Sequence, residues 1–195
     1  MARNFVVKGL VPATPDVLGA DLLIQKRSAV TGTGELRAKS IAGLVFRPTR
    51  PVAHEDGYLT EVAKTAWHEL GDPIVQVHIT TTLPDHIRAW GLHQCSTDRL
   101  FVVTGLVEIV AFDGRDGSPT RGVVNRFIVS DHNPALIVVP PCVYHGWHNI
   151  GTIEAVIINM PTSAYDYETP DALDLPWDSD EAHRTIPHRF QLRTR

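Results

Sequence analysis

The segment that decides the fold spans residues 135–149 and reads Ala-Leu-Ile-Val-Val-Pro-Pro-Cys-Val-Tyr-His-Gly-Trp-His-Asn. Its first part, Ala135–Val139, is the longest uninterrupted apolar run in the chain and ends at two prolines. A short apolar run that is closed by a turn signal is typical of a buried strand. The second part brings His145 next to a glycine and aromatic residues, so this segment joins a strand to a cluster of residues able to carry chemistry.

Outward from this segment, most of the chain carries strand signals separated by turn residues. Residues 100–112 predict two strands that meet at Thr104 and Gly105, and residues 42–47, 74–82, 127–129 and 153–160 predict further strands. Only residues 59–70 show a helical apolar stripe. Many short strands at close spacing predict a mainly β protein, a β-barrel or jelly roll with few short helices.

The composition is that of an ordinary globular protein of one domain. The chain has 195 residues, and its 18 Lys and Arg against 22 Asp and Glu give a net charge of −4, which does not favour nucleic acid or an anionic membrane as partner. Its two cysteines form no disulfide framework, and no apolar run approaches the roughly 20 residues of a membrane span. We therefore expect a cytoplasmic protein.

Three regions are expected along the chain. Residues 1–40 predict an N-terminal arm with scattered Pro and Gly, residues 41–162 the β-barrel, and residues 163–195 a C-terminal tail that wraps the barrel.

Residue parity predicts a cavity that holds a histidine. Alternate residues of a strand share a face, so His93, Cys95 and Arg99 are expected to face one cavity. A histidine can remove a proton α to a ketone near neutral pH, and a nearby cation would stabilise the resulting enolate oxygen.

Four motifs in a fixed order resemble the cupin superfamily, and within it the dTDP-4-dehydrorhamnose 3,5-epimerase family. The family patterns are Arg-Gly-Leu-His, Lys-Leu-Val-Arg-Val-Val-x-Gly, Asp-x-Arg-x-x-Ser-Pro-Thr-x-Gly and Pro-x-Gly-x-x-His. They correspond here to Gly91-Leu92-His93, to residues 99–105, to residues 113–122 and to residues 140–145, with Cys142 in place of the glycine. The resemblance covers about residues 40–180, and the family's final Tyr-Tyr and Trp-x-Asp motifs find echoes at residues 165–167 and 177–180.

The resemblance implies an isomerase that epimerises a keto-sugar, carried on a nucleotide, without a cofactor and as a homodimer. It implies His93 as the base, Tyr165 or Tyr167 as the acid, and Asp178 or Asp180 as the partner that orients His93. The substrate-binding residues it implies are Arg88, Arg99, His145, Gln76 and Glu61. Two family arginines are replaced by Trp90 and Asp56, which predicts weaker contacts to a diphosphate.

Two other classes of protein compete with the epimerase interpretation. A metal-dependent cupin enzyme could use His93, Cys95 and His145 as ligands. Asp98 has a suitable ligand type as well, but strand parity predicts that it points away from the cavity. Arg99 in the same cavity would repel a metal, so the sequence predicts that none is bound. A non-catalytic, sugar-binding cupin is the second alternative, since fold does not imply function.

Overall fold

The computed structural model describes residues 39–193, so the predicted N-terminal arm lies almost wholly outside the described residues. Twelve strands and one short helix follow one another along this part of the chain. The strands are β1 Val45–Pro48, β2 Val52–His54, β3 Gly57–Leu59, β4 His78–Thr82, β5 Ile87–His93, β6 Asp98–Thr104, β7 Leu106–Phe112, β8 Val124–Ser130, β9 Ala135–Val139, β10 Tyr144–Asn149, β11 Ala155–Asn159 and β12 Ala172–Asp174. The helix α1 spans Asp180–Thr185.

Ten of these strands form two antiparallel sheets of five. The first sheet has the order β1-β9-β6-β11-β4 and the second has the order β12-β5-β10-β7-β8, while β2 and β3 pair as a separate hairpin. The mainly β prediction is confirmed, and the predicted pair of strands that meet at Thr104 and Gly105 corresponds to β6 and β7. Gly105 has φ +93 there, and a Cβ on it would lie 2.9 Å from Ala155, so the turn requires glycine.

The core explains why β9 is apolar without alternation. Ala135, Ile137 and Val139 belong to the cluster between the sheets, which also holds residues of β6, β7 and β11. Leu136 and Val138 point the other way, into a second cluster with Leu70 and Met160. Because both faces of β9 are buried, every position of the strand is apolar.

The predicted helix at residues 59–70 is wrong. Its residues belong to β3, to an irregular segment and to a single 3₁₀ turn at His68–Leu70. The apolar stripe is real, since Val62, Ala63 and Trp67 pack with Leu136 on the outer face of the first sheet. An extended strap can thus bury the same residues that a helix would bury.

The C-terminal residues cover the second sheet. Strand β12 pairs with β5, and Ser179 caps α1 by accepting a hydrogen bond from the Ala182 N–H at 3.1 Å. Ile186 and Phe190 pack against Trp90 and Phe112 on the outer face of that sheet. No helix among residues 39–193 is long and apolar enough to cross a membrane.

A buried carboxylate organises the turn between β7 and β8. The Asp113 side chain is fully buried and accepts hydrogen bonds from Arg115 Nε at 2.8 Å, Ser118 Oγ at 2.6 Å and Thr120 Oγ1 at 2.5 Å. Arg115 also donates to the Ala42 carbonyl at 2.8 Å, which ties this turn to the chain before β1. Hydrogen bonding, led by Arg115, outweighs burial and holds the pKa of Asp113 well below its usual range.

We expect Asp113→Asn to lower the free energy of unfolding by about 3 kcal/mol at pH 7, because it leaves the buried Arg115 contacts uncompensated. The depressed pKa means that the charged carboxylate stabilises the fold above its unfolded-state pKa and loses that effect as pH falls. Urea unfolding at pH 7 and at about pH 3 should therefore show the difference from wild type shrinking with acid. Asp116→Asn, at an exposed position of the same turn, is the matched control and should change little. A difference that stays constant with pH would contradict the assignment.

Candidate active site

A cavity of about 330 Å³ lies between the two sheets. It receives side chains from β4, β6 and β11 on one side and from β5, β10 and β12 on the other. It adjoins a wider space of about 850 Å³ whose lining includes residues of the tail. The two spaces share five residues, namely His78, Arg88, His93, Asp98 and Asn159.

Two histidines share one carboxylate inside this cavity. Asp98 Oδ2 lies 3.2 Å from His93 Nε2 and 2.9 Å from His145 Nε2, and Asp98 is 3% exposed. The other oxygen, Oδ1, accepts a hydrogen bond from Asn159 Nδ2 at 2.8 Å. The rings of His93 and His145 stack with centroids 6.0 Å apart. Three strands, β5, β6 and β10, therefore place their functional side chains at one point.

Asp171 fixes the hairpin that joins β5 to β6. It lies just before β12, and its Oδ2 is 3.6 Å from His93 Nδ1. Its two oxygens also accept hydrogen bonds from three successive backbone N–H groups of the hairpin, those of Gln94, Cys95 and Ser96. One carboxylate thus holds the turn closed and faces the second nitrogen of His93.

The carboxylates change the acid–base properties of the site. The hydrogen bond to Asp98 raises the pKa of His93, burial opposes this, and the charges of Asp98, Asp171 and Asp174 add to the increase. For Asp98, burial alone would raise the pKa, but the hydrogen bonds from His145 and His93 outweigh it and hold the pKa well below its usual range. The side chain of His93 is 24% exposed and that of His145 is 6% exposed, so His93 is the more accessible of the two imidazoles.

The prediction that Arg99 faces the cavity is wrong. The hairpin after His93 reverses the chain, so the alternation of β6 starts afresh and brings Asp98 inward and Arg99 outward. The guanidinium of Arg99 is fully buried on the other side, and its burial lowers its pKa. It donates to three carbonyls, those of Leu70 at 3.2 Å, Asp72 at 2.6 Å and Pro73 at 3.2 Å. The argument that Arg99 would repel a metal from the cavity fails with it.

The predicted carboxylate partners of His93 also need correction. The structure pairs His93 with Asp98 and Asp171, whereas Asp178 and Asp180 lie at the start of α1 and contribute to neither cavity. The part of the tail that pairs with β5 is β12, which comes before Trp177. The carboxylate near His93 therefore comes from the start of β12 and not from the residues after Trp177.

The remaining predicted residues divide between the cavities and the surface. Arg88 lines both spaces and is the only Lys or Arg among their described lining residues. Gln76 and Tyr165 line the wider space, where Gln76 Oε1 accepts a hydrogen bond from the Tyr165 N–H at 2.7 Å. Tyr167 is 85% exposed and lies outside both linings.

Two further predicted residues lie outside the cluster of imidazoles and carboxylate. Glu61 pairs with Lys64 on an exposed segment and lines neither space, so its placement at the substrate stays a prediction. Cys95 is exposed at the rim of the wider space and takes no part in the cluster, where Asp98 stands with the two histidines instead.

Sequence reasoning missed Asn159, Asp171 and Asp174, and its prediction that Asp98 points away from the cavity is wrong. A signal for the inward position of Asp98 was available, because the family pattern has its Lys seven residues before the glycine, and seven residues before Gly105 is Asp98. The other three depend on how β11 and β12 pair, which no local pattern reveals.

Comparison with known proteins gives the class of the chain. It is 33% identical over 127 residues to the probable low-salt glycan biosynthesis epimerase Agl13 of Haloferax volcanii, an alignment that covers 65% of this chain and 81% of the relative. A dTDP sugar isomerase from Desulfovibrio desulfuricans superposes with a TM-score of 0.69 at 22% identity, covering 76% of this chain and 91% of that one.

A second solved structure is similar to the chain, the dTDP-6-deoxy-D-glucose-3,5-epimerase of Legionella pneumophila in complex with dTDP-4-keto-L-rhamnose. Its TM-score is 0.66 at 22% identity, over 80% of this chain and 85% of that one. No protein-family model matches. The fold is thus the cupin-type jelly roll that the sequence predicts. The chain belongs to the family of the Haloferax glycan biosynthesis epimerase.

Arg99→Ala should reduce stability without reducing ligand binding in the cavity. The guanidinium lies on the outer face of the first sheet, away from the cavity, where it holds the segment at residues 70–73. Loss of three buried hydrogen bonds should lower the free energy of unfolding by about 3 kcal/mol. Chemical unfolding measures the first effect and titration with a nucleotide sugar measures the second. A variant of wild-type stability that no longer binds ligand would restore Arg99 to the substrate site.

Proposed function

We propose that this epimerase acts on a keto-sugar carried on a nucleotide, and that His93 removes the proton α to the carbonyl. The observation that carries the proposal is the position of His93, accessible at the junction of the two cavities and flanked by two carboxylates. Removal of the proton converts His93 to an imidazolium, which Asp98 and Asp171 stabilise. The names of the similar proteins support a sugar nucleotide as substrate.

The proposed reaction moves one proton off a carbon and another onto its opposite face. The C–H bond next to the ketone breaks, its proton goes to His93, and its electron pair moves onto the carbonyl oxygen to give an enolate. Arg88 is the cation proposed to stabilise that oxygen. Tyr165 lies in the wider space and is the proposed proton donor to the opposite face, which inverts the carbon.

The nucleotide contacts of this chain differ from the family pattern. Trp90 is 1% exposed and packs against Phe190 with ring centroids 5.0 Å apart, so it lies in the outer cluster rather than in the cavity. Asp56 lies in the exposed turn between β2 and β3. Neither position lines the two spaces, and weak binding of dTDP alone stays a prediction.

We further propose a homodimer located in the cytoplasm. The edge strand β4 and the residues before it expose Val75, Val77 and Ile79, each more than half accessible, and an apolar sheet edge of this kind favours pairing with a second copy. Both cysteines are free, which agrees with a reducing compartment.

Exchange of the α proton with solvent tests the base. In D₂O, a dTDP-linked 4-keto-6-deoxy sugar should gain deuterium next to the ketone with wild-type protein, as followed by NMR or mass spectrometry. His93→Asn should slow this exchange by about 10²–10⁴-fold, because the base is lost. His132→Asn, in the exposed turn before β9, should leave the rate unchanged. Exchange at the wild-type rate by the His93 variant would show that another group is the base.

Inversion can be separated from exchange by the two tyrosines. Tyr165→Phe should slow formation of the inverted sugar while deuterium still enters with retained configuration, because His93 can return a proton to the face it came from. Tyr167→Phe removes the hydroxyl of the neighbouring ring, 5.1 Å away, and is the matched control. Chiral analysis of the product measures inversion, and equal effects of the two variants would exclude Tyr165 as the specific donor.

A further inference from the structure

The cluster of His93, Asp98 and His145 has the donor atoms of a transition-metal site. The two Nε2 atoms and Asp98 Oδ2 all lie within 4.8 Å of one another. Ligand atoms bonded at roughly 2.0–2.2 Å to one metal lie roughly 2.8–3.6 Å apart in tetrahedral or octahedral geometry. The contacts of Asp98 Oδ2 at 3.2 Å and 2.9 Å fall within that range.

Each of the three side chains is also held from behind. His145 Nδ1 lies 3.1 Å from the Val143 carbonyl, and His93 Nδ1 lies 3.6 Å from Asp171 Oδ2. Asn159 donates to the second oxygen of Asp98 at 2.8 Å. Metal sites commonly have such outer partners, which orient the ligands. A carbonyl or carboxylate lies behind each imidazole, and a hydrogen bond holds the carboxylate ligand.

We infer that His93, Asp98 and His145 bind one divalent transition metal inside the barrel. Two imidazoles and one carboxylate suit Zn²⁺, Fe²⁺ or Co²⁺, whereas Mg²⁺ and Ca²⁺ favour oxygen ligands throughout. Three protein ligands leave coordination positions for water or for a ligand from the cavity. With Arg99 turned outward, Arg88 is the only Lys or Arg among the described lining residues.

The metal and the proposed proton transfer compete for His93. A neutral imidazole has one lone pair, and a metal bonded to Nε2 occupies it, which leaves the ring with its proton on Nδ1 and no capacity to accept another. Metal binding therefore inhibits the epimerisation. This consequence, unlike the site itself, rests on the proposed function.

Metal titration of the full chain tests the site without any substrate. Chelator-treated protein should bind one Zn²⁺ per chain by calorimetry, and Co²⁺ should give a ligand-field absorption band at the same stoichiometry. Asp98→Asn and His145→Gln should each weaken binding by on the order of 100-fold or more, since each removes a ligand. His78→Gln removes another imidazole from the same cavity and should leave affinity and spectrum unchanged.

Absence of binding by wild-type protein, or binding that both ligand variants retain, would overturn the site. Thermal unfolding shows whether each variant folds. If His145→Gln does not fold, the titrations of the wild-type protein and of Asp98→Asn are sufficient to test the site. In the deuterium-exchange assay, Zn²⁺ should stop exchange and a chelator should restore it. Undiminished exchange by the Zn²⁺-loaded protein would overturn the competition. A chain that binds Zn²⁺ but never exchanges, with or without chelator, would support the site and contradict the proposed function.

Discussion

Asp98 carries a negative charge into the space between two sheets, where a carboxylate is costly unless it is compensated. Two imidazoles and one amide meet it there, each from a different strand. Their positions restrict the pairing of those strands. His145 lies opposite Gly91 in the β10–β5 ladder, and a Cβ on Gly91 would come 3.8 Å from His145 Nε2. The Arg99 N–H donates to Asn159 Oδ1 at 3.1 Å, which ties β6 to β11 at the same level.

Two successive residues of β6, Asp98 and Arg99, have different roles on opposite faces of the strand. Asp98 faces the cavity, and Arg99, one position later, supports the segment on the outer face of the first sheet. Side chains of successive strand residues point to opposite faces, so a slip of one residue exchanges the two environments. A buried guanidinium would then lie among the imidazoles, and the carboxylate would face the carbonyls of residues 70–73, where like partial charges repel it.

The sequence predicts the strands better than the site because apolar runs report burial directly. The local sequence pattern predicts strands β6, β7 and β9. The motif at residues 140–145 is also recognisable, although Cys142 replaces the glycine of the family pattern and adopts φ +60. The prediction for the inward face of β6 is wrong because it assumes that one alternation of side chains continues from His93 to Arg99. The hairpin between β5 and β6 interrupts that alternation. Residues 59–70 misled for a related reason, since a strap and a helix can bury the same apolar set. The sequence could not predict the role of Asp171, because its contact with His93 depends on the pairing of β12 with β5, which lies far away along the chain.

The late position of β12 separates formation of the core from completion of the site. The cluster between the sheets contains no described residue beyond Ile157, whereas Asp171 and Asp174 belong to the segment that follows. A ribosome makes the chain from its N-terminus, so the apolar interior can close while His93 still lacks its second carboxylate and the β5–β6 hairpin lacks its brace. The inner cluster is thus complete without β12, whereas the active site is not. Cleavage of the chain ahead of residue 171 would remove the site's last components while leaving every residue of the inner cluster in place.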